Sequence, residues 1–126
     1  MSYFRDLSPC CFFKSQSSAS LLNVGWLDAR HRYNKGKIDS NQVEKLLRLC
    51  KSHAVNRTRG WHRCPFCSAH PVIMTIDEET LCLGSVEIRV AGERPVVFAA
   101  PDLICHYIAA RQYHPPDEFM AAVATL

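Results

Sequence analysis

Six consecutive residues, His62-Arg-Cys-Pro-Phe-Cys67, constrain this chain more than any other stretch of it. Cys64 and Cys67 stand at the two ends of a tight turn, and Pro65 pre-sets the backbone angle that such a turn needs. An extended backbone points residues i and i+2 to one side, which puts His62 beside Cys64. Thiolates and imidazole at this spacing are the preferred ligands of tetrahedral zinc. The string H-x-C-x-x-C is half of a site. The fold must therefore bring a distant element back to this turn.

The distant candidates are His70, Cys82, Cys105, His106 and His114. His106 is favoured. On a helix it lies about 60° from Leu103, beside the apolar stripe rather than on it, whereas Cys105 points nearly opposite that stripe. A set of two thiolates and two imidazoles also neutralises the charge of zinc, so the ion can be buried. The expected metal site is thus His62, Cys64, Cys67 and His106, holding one structural zinc.

Two other chemistries compete for the same residues. Cys-Pro-Phe-Cys is also a redox pattern, but that site needs an apolar strand before it and a helix opening at its second cysteine. Asn56-Arg-Thr-Arg-Gly60 is no buried strand, and His70-Pro71 discourages a helix. A His/Cys/Cys set also occurs in zinc deaminases, which place a glutamate two residues after the histidine. Here Cys64 stands at that position. No nucleotide-binding glycine loop or nucleophile elbow is present, so no catalytic residue is assigned.

The 126 residues are expected to form one domain, 1–126, large enough to bury roughly two thirds of its unfolded surface. An apolar fraction of 48% argues against disorder. The seven cysteines are odd in number, and the first twenty residues carry only a short apolar patch, Cys10 to Phe13, too short for a signal-peptide core. Both features point to a reducing, cytoplasmic setting, and no stretch approaches the apolar length of a membrane span.

The net charge of +3 conceals two unlike halves. Residues 1–63 hold 12 Lys/Arg against 4 Asp/Glu, and residues 64–126 hold 3 against 8. Most of the excess lies in 30–63, where Lys45, Arg48, Arg57, Arg59 and Arg63 are candidate contacts to phosphate. The blander account is that these charges are solvated or complement the acidic half within one fold.

Apolar periodicity outlines the elements. Leu21 to Leu27 reads as a short strand broken by Gly25. Val43, Leu46, Leu47 and Cys50 recur at helical spacing and define a helix over 40–52, with Asp39 as its cap. Three β-type segments follow at 72–76, 80–83 and 85–90. The last pairs with 96–100 as an antiparallel hairpin. Pro101 and Asp102 open a second helix, whose stripe is Leu103, Ile104, Tyr107 and Ile108, and a third runs over 117–124. The class is α+β, a small antiparallel sheet with two to three helices and a zinc-knuckle-like loop.

Several strings together resemble a family of small uncharacterised bacterial proteins: Met1-Ser-Tyr-Phe-Arg-Asp-Leu-Ser-Pro9, Asn23-Val-Gly-Trp-Leu-Asp28, Val55-Asn-Arg-Thr-Arg-Gly-Trp-His-Arg-Cys-Pro-Phe-Cys67, Leu83-Gly-Ser-Val-Glu-Ile-Arg-Val90 and Ala99-Ala-Pro-Asp-Leu-Ile-Cys-His-Tyr107. The resemblance spans nearly the whole chain. Its pairing of R-G-W-H-x-C-x-x-C with A-P-x-L-I-x-H-Y implies a joint role for His62, Cys64, Cys67 and His106. In the resembled pattern a second histidine often follows five residues after the first. Arg111 stands there in this chain and is no ligand. The resemblance implies no activity. The expectation is a non-enzymatic zinc-binding adaptor for a protein partner. The alternatives are a nucleic-acid binder using 30–63 and a zinc enzyme with an open metal position.

Overall fold

In a computed structural model, which describes residues 3–9, 20–55, 62–67 and 71–126, helix α1 spans Ser40–Ser52. Its start is set by Asp39, whose side chain accepts a hydrogen bond from the Asn41 N–H and so satisfies one orphan donor of the first turn. Leu46, Leu47, Leu49 and Cys50 are its buried residues. This face is wider than the sequence stripe, because α1 packs against two further helices and the sheet.

Those helices are α2, Ile104–Arg111, and α3, Asp117–Ala124. Strands β5 (Glu87–Ala91) and β6 (Val96–Pro101) form the expected antiparallel hairpin. Ile88 and Val90 are buried, while the alternate residues Glu87 and Arg89 pair with each other at 2.7 Å. Phe98 of β6 meets Phe119 of α3 edge to face, with ring centroids 5.6 Å apart, which seats α3 on the sheet.

Three features depart from the expectation. Strand β1, Ser20–Asn23, joins β6 in parallel, so the four-stranded sheet is mixed, in the order β1-β6-β5-β2. Its edge is β2, only Ala54–Val55. Strands β3 (Val72–Ile76) and β4 (Glu79–Leu83) form a separate two-stranded sheet. Pro101 belongs to the end of β6 rather than to the first turn of α2, whose cap is Leu103. The class is α+β, as read.

Two polar anchors, Asp6 half-buried and Asp102 buried, place the elements around α2. Asp6 accepts from the Gly25 N–H at 3.0 Å and from the Tyr113 hydroxyl at 2.8 Å, tying the N-terminal segment to the second residue after α2. Asp102, 2% exposed, accepts from the Gly84 N–H at 2.8 Å and lies 3.5 Å from the Ser85 N–H. Burial pushes its carboxyl above the ordinary value of 3.8 despite these donors. The folded state therefore holds the proton more tightly than the unfolded chain does. The contribution of Asp102 to stability is complete below pH 3.8 and is lost as pH rises through the folded value. Asp102→Asn keeps one acceptor for Gly84 and removes the titration. Thermal melts across pH are expected to show a flatter dependence above pH 3.8 in this variant; an unchanged slope would assign the pH dependence to other groups.

Candidate metal centre

The Cys64-Pro-Phe-Cys67 turn is closed by a hydrogen bond from the Phe66 N–H to Cys64 Sγ at 3.4 Å. Backbone donors to sulfur favour its thiolate, and burial opposes it. The second effect is the larger, so the Cys64 thiol is pushed up. A cation between the sulfurs reverses that balance.

Helix α2 supplies the distant ligand. His106 Nε2 lies 3.4 Å from Cys67 Sγ, across 39 residues of chain. The ligand atoms of Cys64, Cys67 and His106 all lie within 4.8 Å of one another. A tetrahedral zinc ion, with bonds of about 2.3 Å to sulfur and about 2.0 Å to nitrogen, spaces its ligand atoms about 3.5–3.8 Å apart. The three side chains thus fit the ion on donor type and on spacing. Burial, reinforced by the nearby Arg111 charge, lowers the His106 pKa and favours the neutral imidazole that a metal needs.

An aromatic frame holds the turn. Phe66 meets Tyr107 edge to face at 5.9 Å and Tyr33 at 5.3 Å, and the Tyr33 hydroxyl donates to the Arg111 carbonyl at 3.1 Å. Arg111, set aside in the sequence because it is no ligand, lies at the centre of the site. Its Nη2 donates to the Phe66 carbonyl at 2.8 Å, and the neighbouring Cys67, with Cys64, raises the arginine pKa. Residue type and the five-residue step from His106 were the available signals. They place 106 and 111 on the same helix, but not the arginine against a sulfur.

His62 is brought near by its backbone. Its N–H donates to the Gly84 carbonyl at 2.8 Å. Gly84 has φ +111°, and a Cβ there would collide with the His62 carbonyl oxygen. The chain Asp102, Gly84, His62 thus fixes the residue at which the backbone enters the knuckle. The His62 ring is not in the group of converging ligand atoms. Among the other candidates, Cys105 is buried with its sulfur 3.7 Å from Cys50 Sγ, Cys82 is half-buried on β4, and His114 packs on Gly36. None of the three belongs to the converging group. His70 lies outside the described residues, as do Trp61, Arg57 and Arg59.

Three cations of the basic stretch are engaged within the fold. Arg48 makes a two-point pair with Asp77, Lys51 bonds Glu79 at 2.7 Å, and Lys45 donates to the Ala124 carbonyl at 2.8 Å. All three partners lie in the acidic half of the sequence. Arg63 is exposed beside the knuckle.

One family model matches residues 2–124, nearly the full length, and its description is a domain of unknown function, DUF7919. The chain belongs to the DUF7919 family. The match takes in both halves of the site, the knuckle and α2, so the DUF7919 domain contains the whole Cys64, Cys67 and His106 cluster. Comparison with curated proteins and with solved structures gives no match in either case.

Proposed function

We propose that this DUF7919 domain is a zinc-stabilised binding module whose ion pins the knuckle to α2. The observation that carries the reading is the convergence of Cys64, Cys67 and His106 from two segments far apart in sequence onto one point. Thiolate and imidazole together select zinc over hard cations such as magnesium or calcium. The ion cross-links the loop before β3 to the helix that closes the sheet, a structural role rather than a catalytic one. His62, held at Gly84, belongs to the same assembly through its backbone.

Cys50, Cys64, Cys82 and Cys105 are free thiols, which accords with a reducing, cytoplasmic setting. No helix among the described residues is long and apolar enough to cross a membrane. The partner is a protein, contacted by the surface that the zinc holds in place. A nucleic-acid partner is less well supported, since Lys45, Arg48 and Lys51 are engaged within the fold. Metal analysis of the purified chain tests the reading. About one zinc per chain is expected, with loss in Cys64→Ser and Cys67→Ser, and a metal-free parent would refute it.

A further inference from the structure

Among the described residues three side chains converge, which leaves one corner of a zinc tetrahedron, and a cation, Arg111, lies beside the site. Two thiolates and a neutral imidazole bring the zinc complex to zero net charge. Arg111 then adds a full positive charge, with its Nη2 bonded to the Phe66 carbonyl next to Cys67 in the turn. A neutral water at the fourth corner would leave that charge uncompensated in a partly buried site, which is costly. An anion would compensate it.

A second observation points the same way. The Arg111 Nε is buried with no hydrogen-bond partner, and so is the Tyr107 hydroxyl. Tyr107 lies near enough to Cys64 and Cys67 for their charge to act on it. Buried donors are nearly always satisfied, and an orphan in a native fold is met by an ordered water, a ligand or an ion. Both groups can donate, and the charge of the two sulfurs reaches both residues. An acceptor-rich anion is the species that they lack.

We infer that the fourth zinc position, flanked by Arg111, takes the carboxylate of a small organic acid, one oxygen on the metal and the other on the guanidinium. A carboxylate suits both partners. Its oxygen is a good zinc ligand, and its planar pair of oxygens matches the donor fork of arginine. No covalent bond other than the metal–oxygen bond forms, and the acid binds as its anion. This rests on the zinc reading above and gives it a ligand: the module binds a small carboxylate, and the bound acid completes the metal shell.

The test uses the full chain loaded with cobalt(II), whose spectrum reports both thiolate ligation and the fourth ligand. Acetate is the probe, titrated at constant ionic strength. The parent is expected to show thiolate-to-cobalt charge-transfer bands and a saturable change of the visible bands with acetate. Arg111→Gln, which removes one charged donor, is expected to raise the half-saturating acetate concentration about tenfold. Arg111→Lys, which keeps the charge and loses the fork, should fall between, and guards against misfolding of the glutamine variant. Charge-transfer bands with visible bands indifferent to acetate would overturn the inference alone and mean that a side chain such as His62 fills the corner. An equal acetate response in parent and both variants would also overturn it. Absence of charge-transfer bands would remove the zinc reading and this inference with it.

Discussion

Stripping the metal with a chelator is expected to lower the melting temperature of this domain by about 10 °C or more. The ion joins Cys67 to His106 across 39 residues. Closing a loop of that length in the unfolded chain is worth about 4 kcal/mol in the chain-entropy model of a cross-link. For a chain of this size each kcal/mol moves the midpoint by about 3–4 °C. Without the ion, the knuckle rests on single hydrogen bonds such as Phe66 N–H to Cys64 Sγ and Arg111 to the Phe66 carbonyl, and on the aromatic contacts of Phe66. Each bond of that kind contributes about 1 kcal/mol. The same drop is expected in Cys67→Ser without chelator, and the chelator should then add nothing. Differential scanning calorimetry of parent and variant, each with and without chelator, measures both. A parent whose melting is indifferent to the chelator would show that the fold does not depend on the metal.

Gly84→Ala is expected to cost about 3 kcal/mol or more, since of the four described glycines it alone would clash with backbone. At φ +111° an L side chain is strained, a cost of about 1–3 kcal/mol. The new Cβ also meets the backbone oxygen of His62, which cannot swing away as a side-chain tip does. Relief requires moving either the Gly84 bond to Asp102 or the His62 bond to Gly84, and so the entry to the knuckle. The variant should therefore lose both melting temperature and zinc. Gly92→Ala is the comparison: its Cβ meets the Phe98 ring without a positive φ, and the knuckle is remote from it in the fold. Zinc content that falls in Gly84→Ala and holds in Gly92→Ala would mark Gly84 as part of the support of the site. Equal content in both would leave Gly84 a purely conformational position.

How far the sequence could be read depended on the range of the forces involved. Helix α1 was legible to its ends because its signals are local: Asp39 caps within two residues, and Leu46, Leu47 and Cys50 lie on one face. Helix α3 and the β5–β6 hairpin were legible for the same reason, the latter from the alternation of Val86, Ile88 and Val90. The parallel pairing of Ser20–Asn23 with Val96–Ala99 was not legible. No local pattern records which strand lies beside which across more than seventy residues, and a parallel neighbour leaves no hairpin turn to find. Pro101 was assigned to the helix because proline favours a first turn. In the fold it ends β6 instead, opposite Glu87.

At the site the same division holds. The choice of His106 rested on its angle from the apolar stripe, a helical property, and the cluster of Cys64, Cys67 and His106 agrees with it. The i, i+2 rule brought His62 to the right strand, but not its ring into the converging group. Its backbone answers instead to Gly84, a partner twenty-two residues away. Arg111 was weighed only as a ligand and set aside. Its place against Cys67 follows from the way α2 crosses the knuckle, which is tertiary packing.

The central claim, a zinc ion held by two cysteines of a turn and a histidine of a distant helix, meets its most direct test in metal content. Inductively coupled plasma mass spectrometry on the purified parent, Cys64→Ser, Cys67→Ser and His106→Ala gives the answer in one series. The account predicts about one zinc per parent chain, loss in both serine variants and at least a weakened hold in His106→Ala. A parent without zinc, or variants that retain it in full, would contradict it.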